Sequence, residues 1–225
     1  MSNFFNLTLD TTGPQSPSVS INAGAAYATA QLVTLTIGTS DSDTTGYQMK
    51  IWGDVDTAYD TDIQATEAAS SWISYSPSRQ VKLSNANGTK TIYLKIRDSV
   101  LNESSQASDA ISLDTVLPIA SISAGPDVTK ISKVSTKDTC TFSFTVDTHV
   151  QAWKVKVVPS TSSLQDAGTQ LGTTNGSTNV TGGALAASTP QAVAIKGADL
   201  EVASAGDGTK IIKVFVQDDA GNWSV

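Results

Sequence analysis

With 225 residues, a net charge of −7 and a pI near 4.5, the chain is acidic and of a size for one large or two small domains. That charge argues against nucleic acid as a partner, which requires a basic surface, and no apolar run approaches the roughly 20 residues of a membrane-spanning helix, so membrane insertion is not expected. Cys140 is the only cysteine, so no disulfide can form within the chain.

Residues 4–10, FFNLTLD, place Leu7 and Leu9 on one side and read as a short strand. The opening MSNFFNLTLD has no basic stretch leading into an apolar core, so no signal peptide is expected. Asp10–Pro17 is a joint rich in Thr, Gly and Pro. Strands are then expected at Ser18–Ile21, at Gln31–Ile37 with Val33, Leu35 and Ile37 inward, and at Gln48–Trp52 with Met49 and Ile51 inward. Val81–Leu83 precedes a longer strand, and Ala110–Leu113 closes the first half.

That longer strand lies in Gly88–Ser104, GTKTIYLKIRDSVLNES, which returns without a gap as Gly208–Ser224, GTKIIKVFVQDDAGNWS. Ile92, Leu94 and Ile96 alternate with Tyr93, Lys95 and Arg97, and Ile212, Val214 and Val216 repeat the pattern. Such period-two alternation marks a strand with one buried face. Each copy leaves through Asp-x-x-x-Asn (Asp98/Asn102, Asp218/Asn222), whose short side chains can hold a turn on nearby backbone. The second half keeps the order of the first. Pro118–Gly125 parallels Pro17–Gly24, Cys140–Val146 parallels Gln31–Ile37, Ala152–Val158 parallels Gln48–Trp52, and Ala192–Ile195 parallels Val81–Leu83. Between the last two lies Pro159–Pro190, a Ser-, Thr-, Gly- and Asn-rich run expected to be mobile or ordered only on a partner. No amphipathic helix of convincing length is expected anywhere.

The stretches LDTTGPQSPSVSINAGA (9–25), QMKIWGD (48–54), GTKTIYLKIRD (88–98), SLDT (112–115) and DDAGNWS (218–224) resemble the tandem bacterial Ig-like modules of surface proteins and tailed-phage virion proteins. The resemblance spans nearly the whole chain. It implies an all-β protein of two tandem Ig-like β-sandwiches, residues 1–114 and 115–225, joined near Asp114–Pro118. Unlike antibody-type domains, the chain lacks the cysteines for an inter-sheet disulfide. Cys140 alternates with Phe142, Phe144 and Val146 and reads as a small buried hydrophobe.

Candidate chemistry is sparse. The sole histidine, His149, sits in a turn with no second His or Cys to join it as a metal ligand, and no Gly-rich stretch has the spacing of a phosphate loop, so catalysis is not expected. The acids Asp54, Asp56, Asp60 and Asp62 in GDVDTAYDTD are a candidate calcium site, with Asp41 and Asp43 as further ligands if the loops meet. They lack EF-hand spacing, and a solvated acidic loop is the competing reading. Trp52, Trp72, Tyr75 and Tyr59 are candidates for a sugar-binding patch, against packing at the sandwich edge.

Two functions from different classes follow. One is a non-enzymatic structural protein of a tailed-phage virion, made in the host cytoplasm and contacting other virion proteins and copies of itself. The other is a bacterial adhesin module that binds a host or cell-surface glycan. The closing strand Ala110–Asp114 of the first half has no counterpart after DDAGNWS, while residues 4–10 resemble that strand and are surplus. One reading is that residues 4–10 of a neighbouring copy add to the edge left open; the competing ones are that they pair within their own first module or that another virion protein covers the edge.

Overall fold

The computed structural model describes residues 5–225, so Met1–Phe4, including the first residue of the expected strand 4–10, lie outside the described residues. The chain is all-β and forms two tandem Ig-like sandwiches, one compact unit ending at Thr115 and a second running from Val116 to Val225.

The first unit contains β1 (Ser18–Ile21), β2 (Tyr27–Ala28), β3 (Leu32–Gly38), β4 (Gln48–Gly53), β5 (Ile73–Ser74), β6 (Ser78–Lys82), β7 (Gly88–Arg97) and β8 (Ala107–Leu113). They form two sheets, β1-β3-β6 and β2-β8-β7-β4-β5. Alternation fixes which face turns inward, because a slip of one residue would expose the whole apolar set. Val33, Leu35 and Ile37 of β3 meet Met49 and Ile51 of β4, Ile92, Leu94 and Ile96 of β7, and Ile111 and Leu113 of β8 in one core. β8 is antiparallel to β7 in a register that pairs Gly88 with Leu113 and Leu94 with Ala107. It also pairs in parallel with β2. Residues 5–10 form no strand and are exposed, so the strand expected there is not made within this unit.

The second unit contains β9 (Ala120–Ala124), β10 (Thr139–Val146), β11 (Val150–Val158), β12 (Thr169–Gln170), β13 (Thr181–Gly182), β14 (Gln191–Lys196), α1 (Gly197–Ala203) and β15 (Ile211–Asp218). One sheet is ordered β14-β10-β9; the other has β12, β13 and β15 all paired to β11. Phe142, Phe144 and Val146 from the first sheet pack against Trp153, Val155, Val157, Val214 and Val216 from the second. The rings of Phe144 and Trp153 meet edge to face with centroids 5.3 Å apart, a favoured aromatic geometry. Cys140, at the start of β10, is only partly buried, unlike the three residues it alternates with.

One expectation fails here. The segment 159–190 is not a loose run: it supplies β12 and β13 and buries Leu171, Val180 and Leu185 in the core. Its polar side chains hold it down, because a buried backbone carbonyl must find a donor. Gln170 Nε2 donates to the carbonyls of Val155, Leu171 and Val180 at 2.9, 3.2 and 2.8 Å. Lys156 Nζ donates to the Gln165 carbonyl at 2.8 Å, and Lys154 Nζ to the Gln165 side chain. The unit's one helix among the described residues, α1, is short, with seven residues. Its Asp199 accepts from the amides of Asn175 and Ser177, each at 2.9 Å, and ties the segment to the helix.

Candidate functional site

The two repeated turns share the same set of closing hydrogen bonds. In the first unit Asp98 is buried, and its Oδ1 accepts the Val100 and Asn102 amides, both at 2.9 Å. Asn102 Nδ2 donates to Asp98 Oδ2 at 2.9 Å, and the Asp98 amide donates to the Asn102 carbonyl at 3.1 Å. Two residues on, the Ile96 amide donates to Ser104 Oγ at 3.0 Å and the Ser104 amide returns a bond to Ile96. In the second unit Asn222 donates to Asp218 from its amide at 2.8 Å and from Nδ2 at 3.0 Å. The Val216 amide donates to Ser224 Oγ at 3.1 Å. These carboxylates are fully engaged in closing a turn behind a strand, which is a structural and not a catalytic task.

The four acids of residues 54–62 are not gathered. Asp54 Oδ2 accepts the Thr91 amide at 2.8 Å, Asp56 pairs with Lys82 at 2.8 Å, and Asp60 pairs with Arg79 at 2.5 Å. The Lys82 ammonium holds the Asp56 carboxyl below its ordinary range. Asp62 is exposed on the loop. The loop carbonyls of Thr57, Asp60 and Thr61 converge instead on Gln64 Nε2, at 3.3, 3.3 and 3.1 Å. Asp41 and Asp43 are engaged elsewhere, Asp41 by the Tyr47 hydroxyl at 3.1 Å and Asp43 by the Thr45 amide at 2.9 Å. Among the described residues no group of three or more His, Cys, Asp or Glu is placed to hold a metal ion.

Of the aromatic candidates, Trp52 and Tyr75 are taken up by packing. Trp52 is buried and stacks on Tyr93 across the β4–β7 pair, with centroids 5.7 Å apart. Tyr75 packs on the core and donates to the Ile37 carbonyl at 3.4 Å. Trp72 has the Lys50 ammonium 4.9 Å and the Arg97 guanidinium 4.4 Å from its ring centroid, and Tyr59 is exposed on the acidic loop. A sugar platform needs an open ring face; here cations already lie over Trp72.

His149 Nδ1 bonds Asp219 at 2.9 Å on an exposed corner. Cys140 Sγ lies 3.6 Å from the Val128 carbonyl, and burial pushes its thiol up, away from the reactive thiolate.

One feature of the second unit escaped the sequence. An apolar cleft of about 770 Å³ opens between the two sheets, lined by Val128, Ile131, Phe142, Leu200, Ile212 and Val214 among others. It lies beside β15, and a second recess of about 470 Å³ continues along that strand past Ile119 and Ile122.

These units make the chain a tandem β-sandwich protein whose charged groups are largely committed to turns and loop anchors. No protein-family model and no curated protein matches it. Among solved structures, the fibronectin(III)-like modules of Clostridium thermocellum CbhA align with 92% of this chain and 89% of their own at 10% identity, with a TM-score of 0.46. Chitinase ChiA74 from Bacillus thuringiensis aligns with 92% of this chain but 30% of its own at 13% identity, with a TM-score of 0.31. At these scores neither likeness transfers a ligand or a site.

Proposed function

We propose that the chain is a structural accessory segment of a bacterial surface or secreted assembly, a pair of sandwiches that spaces and connects other parts. The supporting observation is what the repeat preserves. Both copies of the strand-and-turn unit keep the Asp–Asn lock and the Ser104 or Ser224 anchor, while the acidic loop and Trp72 of the first unit have no repeat in the second. What recurs is therefore what makes a unit self-supporting. Antibodies to the chain, applied to fractionated producing cells, should find it in the envelope or the medium as part of a larger complex. Recovery only as a free cytoplasmic protein would overturn this reading.

A place on a tailed-phage particle is the second reading. The joint LDTT-x-P and the strand followed by DDAGNWS favour it, through their resemblance to virion Ig-like modules. Mass spectrometry of purified particles separates the two: stoichiometric presence in particles selects the virion, and confinement to cell fractions selects the accessory segment.

A further inference from the structure

Among the described residues, the second unit has no strand in the place that β8 takes in the first. In the first, β8 lies along the free side of β7 and closes the sandwich, with Ile111 and Leu113 buried in the core. Matching the repeats places β15 on β7, so the counterpart of the β8-covered edge is Gly208–Val214. Among the described residues β15 pairs in a ladder only with β11, and no strand lies along that edge. The side chains record the loss of cover. Ile92 and Leu94 are fully buried, whereas Ile212 is only partly so, and Ile21, which is 1% exposed, corresponds to Ile122, which is 57% exposed. In the first unit it is β8 that reaches Ile21, through Asp109, which accepts the Ile21 amide at 2.7 Å. The apolar cleft of the second unit occupies the place where inward side chains of such a strand would sit.

The chain also carries a segment of the right pattern. Residues 6–11, NLTLDT, match 110–115, AISLDT, so that Leu7 stands for Ile111 and Leu9 for Leu113. Phe5, Leu7 and Leu9 are 84%, 85% and 85% exposed and belong to no strand. An alternating apolar set held in water, and an open strand edge beside an apolar cleft, are each costly alone and complementary together.

We propose that residues 5–10 of one copy add as a strand to the open edge of β15 in a second copy. The register is fixed by the β7–β8 pairing: Leu9 lies opposite Gly208, Thr8 opposite Thr209, Leu7 opposite Lys210, Asn6 opposite Ile211 and Phe5 opposite Ile212. Leu7 and Leu9 enter the cleft, and Phe5 covers Ile122. Backbone bonds supply affinity and the alternate side chains supply register, as in other strand additions. Donor and acceptor are different surfaces, so the contact is heterologous and runs head to tail into a ring or an open array. The inference holds for either assembly considered above.

The test compares the full chain with the Leu7→Asp/Leu9→Asp variant. Both positions are exposed, so the variant keeps its fold, which circular dichroism verifies. Sedimentation equilibrium should show the unaltered chain associating as concentration rises and the variant remaining monomeric. Hydrogen exchange should find the 208–214 amides protected in the associated chain and open in the variant. A synthetic peptide of residues 5–12 added to the variant should restore that protection, and a scrambled peptide should not. The proposal is overturned by a monomeric unaltered chain, by association that persists in the variant, by 208–214 protection within a monomer, or by peptide protection appearing elsewhere.

Discussion

At the residue scale, single polar side chains decide whether a turn or a loop holds. Asp218 is buried and engages both the amide and the side chain of Asn222. Asp218→Ala leaves those donors without their acceptor, at a cost of about 1–3 kcal/mol. The loss should appear as a lower unfolding midpoint for the second unit, and Asp98→Ala should do the same to the first. Tyr47 offers a pH signature. Burial, together with the hydroxyl's bond to Asp41, pushes its pKa from 10.0 up to about 12. The folded unit therefore favours the protonated phenol. That stabilisation is complete below pH 10 and is lost as pH rises from 10 through about 12. In Tyr47→Phe, the denaturation midpoint of the first unit should fall less steeply across that window than in the unaltered chain; equal slopes would exclude Tyr47 as the group responsible.

At the element scale, the two long repeated strands were legible because one face of each is apolar at every second residue, which places Ile92, Leu94, Ile96, Val214 and Val216 in the cores; Phe215, on the other face of β15, is buried as well. The segment 159–190 was not legible. Leu171, Val180 and Leu185 are too far apart to show a period, and the groups that order it are Gln170, Asp199 and two lysines, which read in sequence as linker composition or solvated charge. The helix α1 was hidden by its length, seven residues, which give fewer than two full turns of periodicity. The acidic loop was visible as spacing, but its partners Arg79, Lys82 and Thr91 come from strands the spacing cannot place. The close fit of β13 to β11 makes the segment's structural role testable. A Cβ built on Gly182 would come within 2.5 Å of the Trp153 indole. Gly182→Ala must displace that ring from its contact with Phe144, an overpacking cost of about 1–3 kcal/mol. A linker merely draped on the unit would tolerate the change, and thermal unfolding of the variant discriminates the two.

At the scale of the whole molecule, each unit has its own core: the cluster around Ile51, Ile92 and Leu94 in one, and that around Phe144, Val155 and Val216 in the other, with no residue in common. Cooperativity follows shared buried contacts, so a core lesion in one unit acts first on that unit. Ile51 is fully buried between the two sheets of the first unit. Ile51→Ala removes its side chain beyond Cβ from a close-packed site, at about 2–5 kcal/mol. A unit of this size shifts by several degrees per kcal/mol, so the first unit's transition should move down well clear of the second's. Calorimetry of the variant should then resolve two endotherms, the lower lost on further core damage to the first unit and the upper lowered by Asp218→Ala. One endotherm moving as a whole under either substitution would mean that the sandwiches fold as a single cooperative body, and the picture of two self-supporting units in series would fall with it.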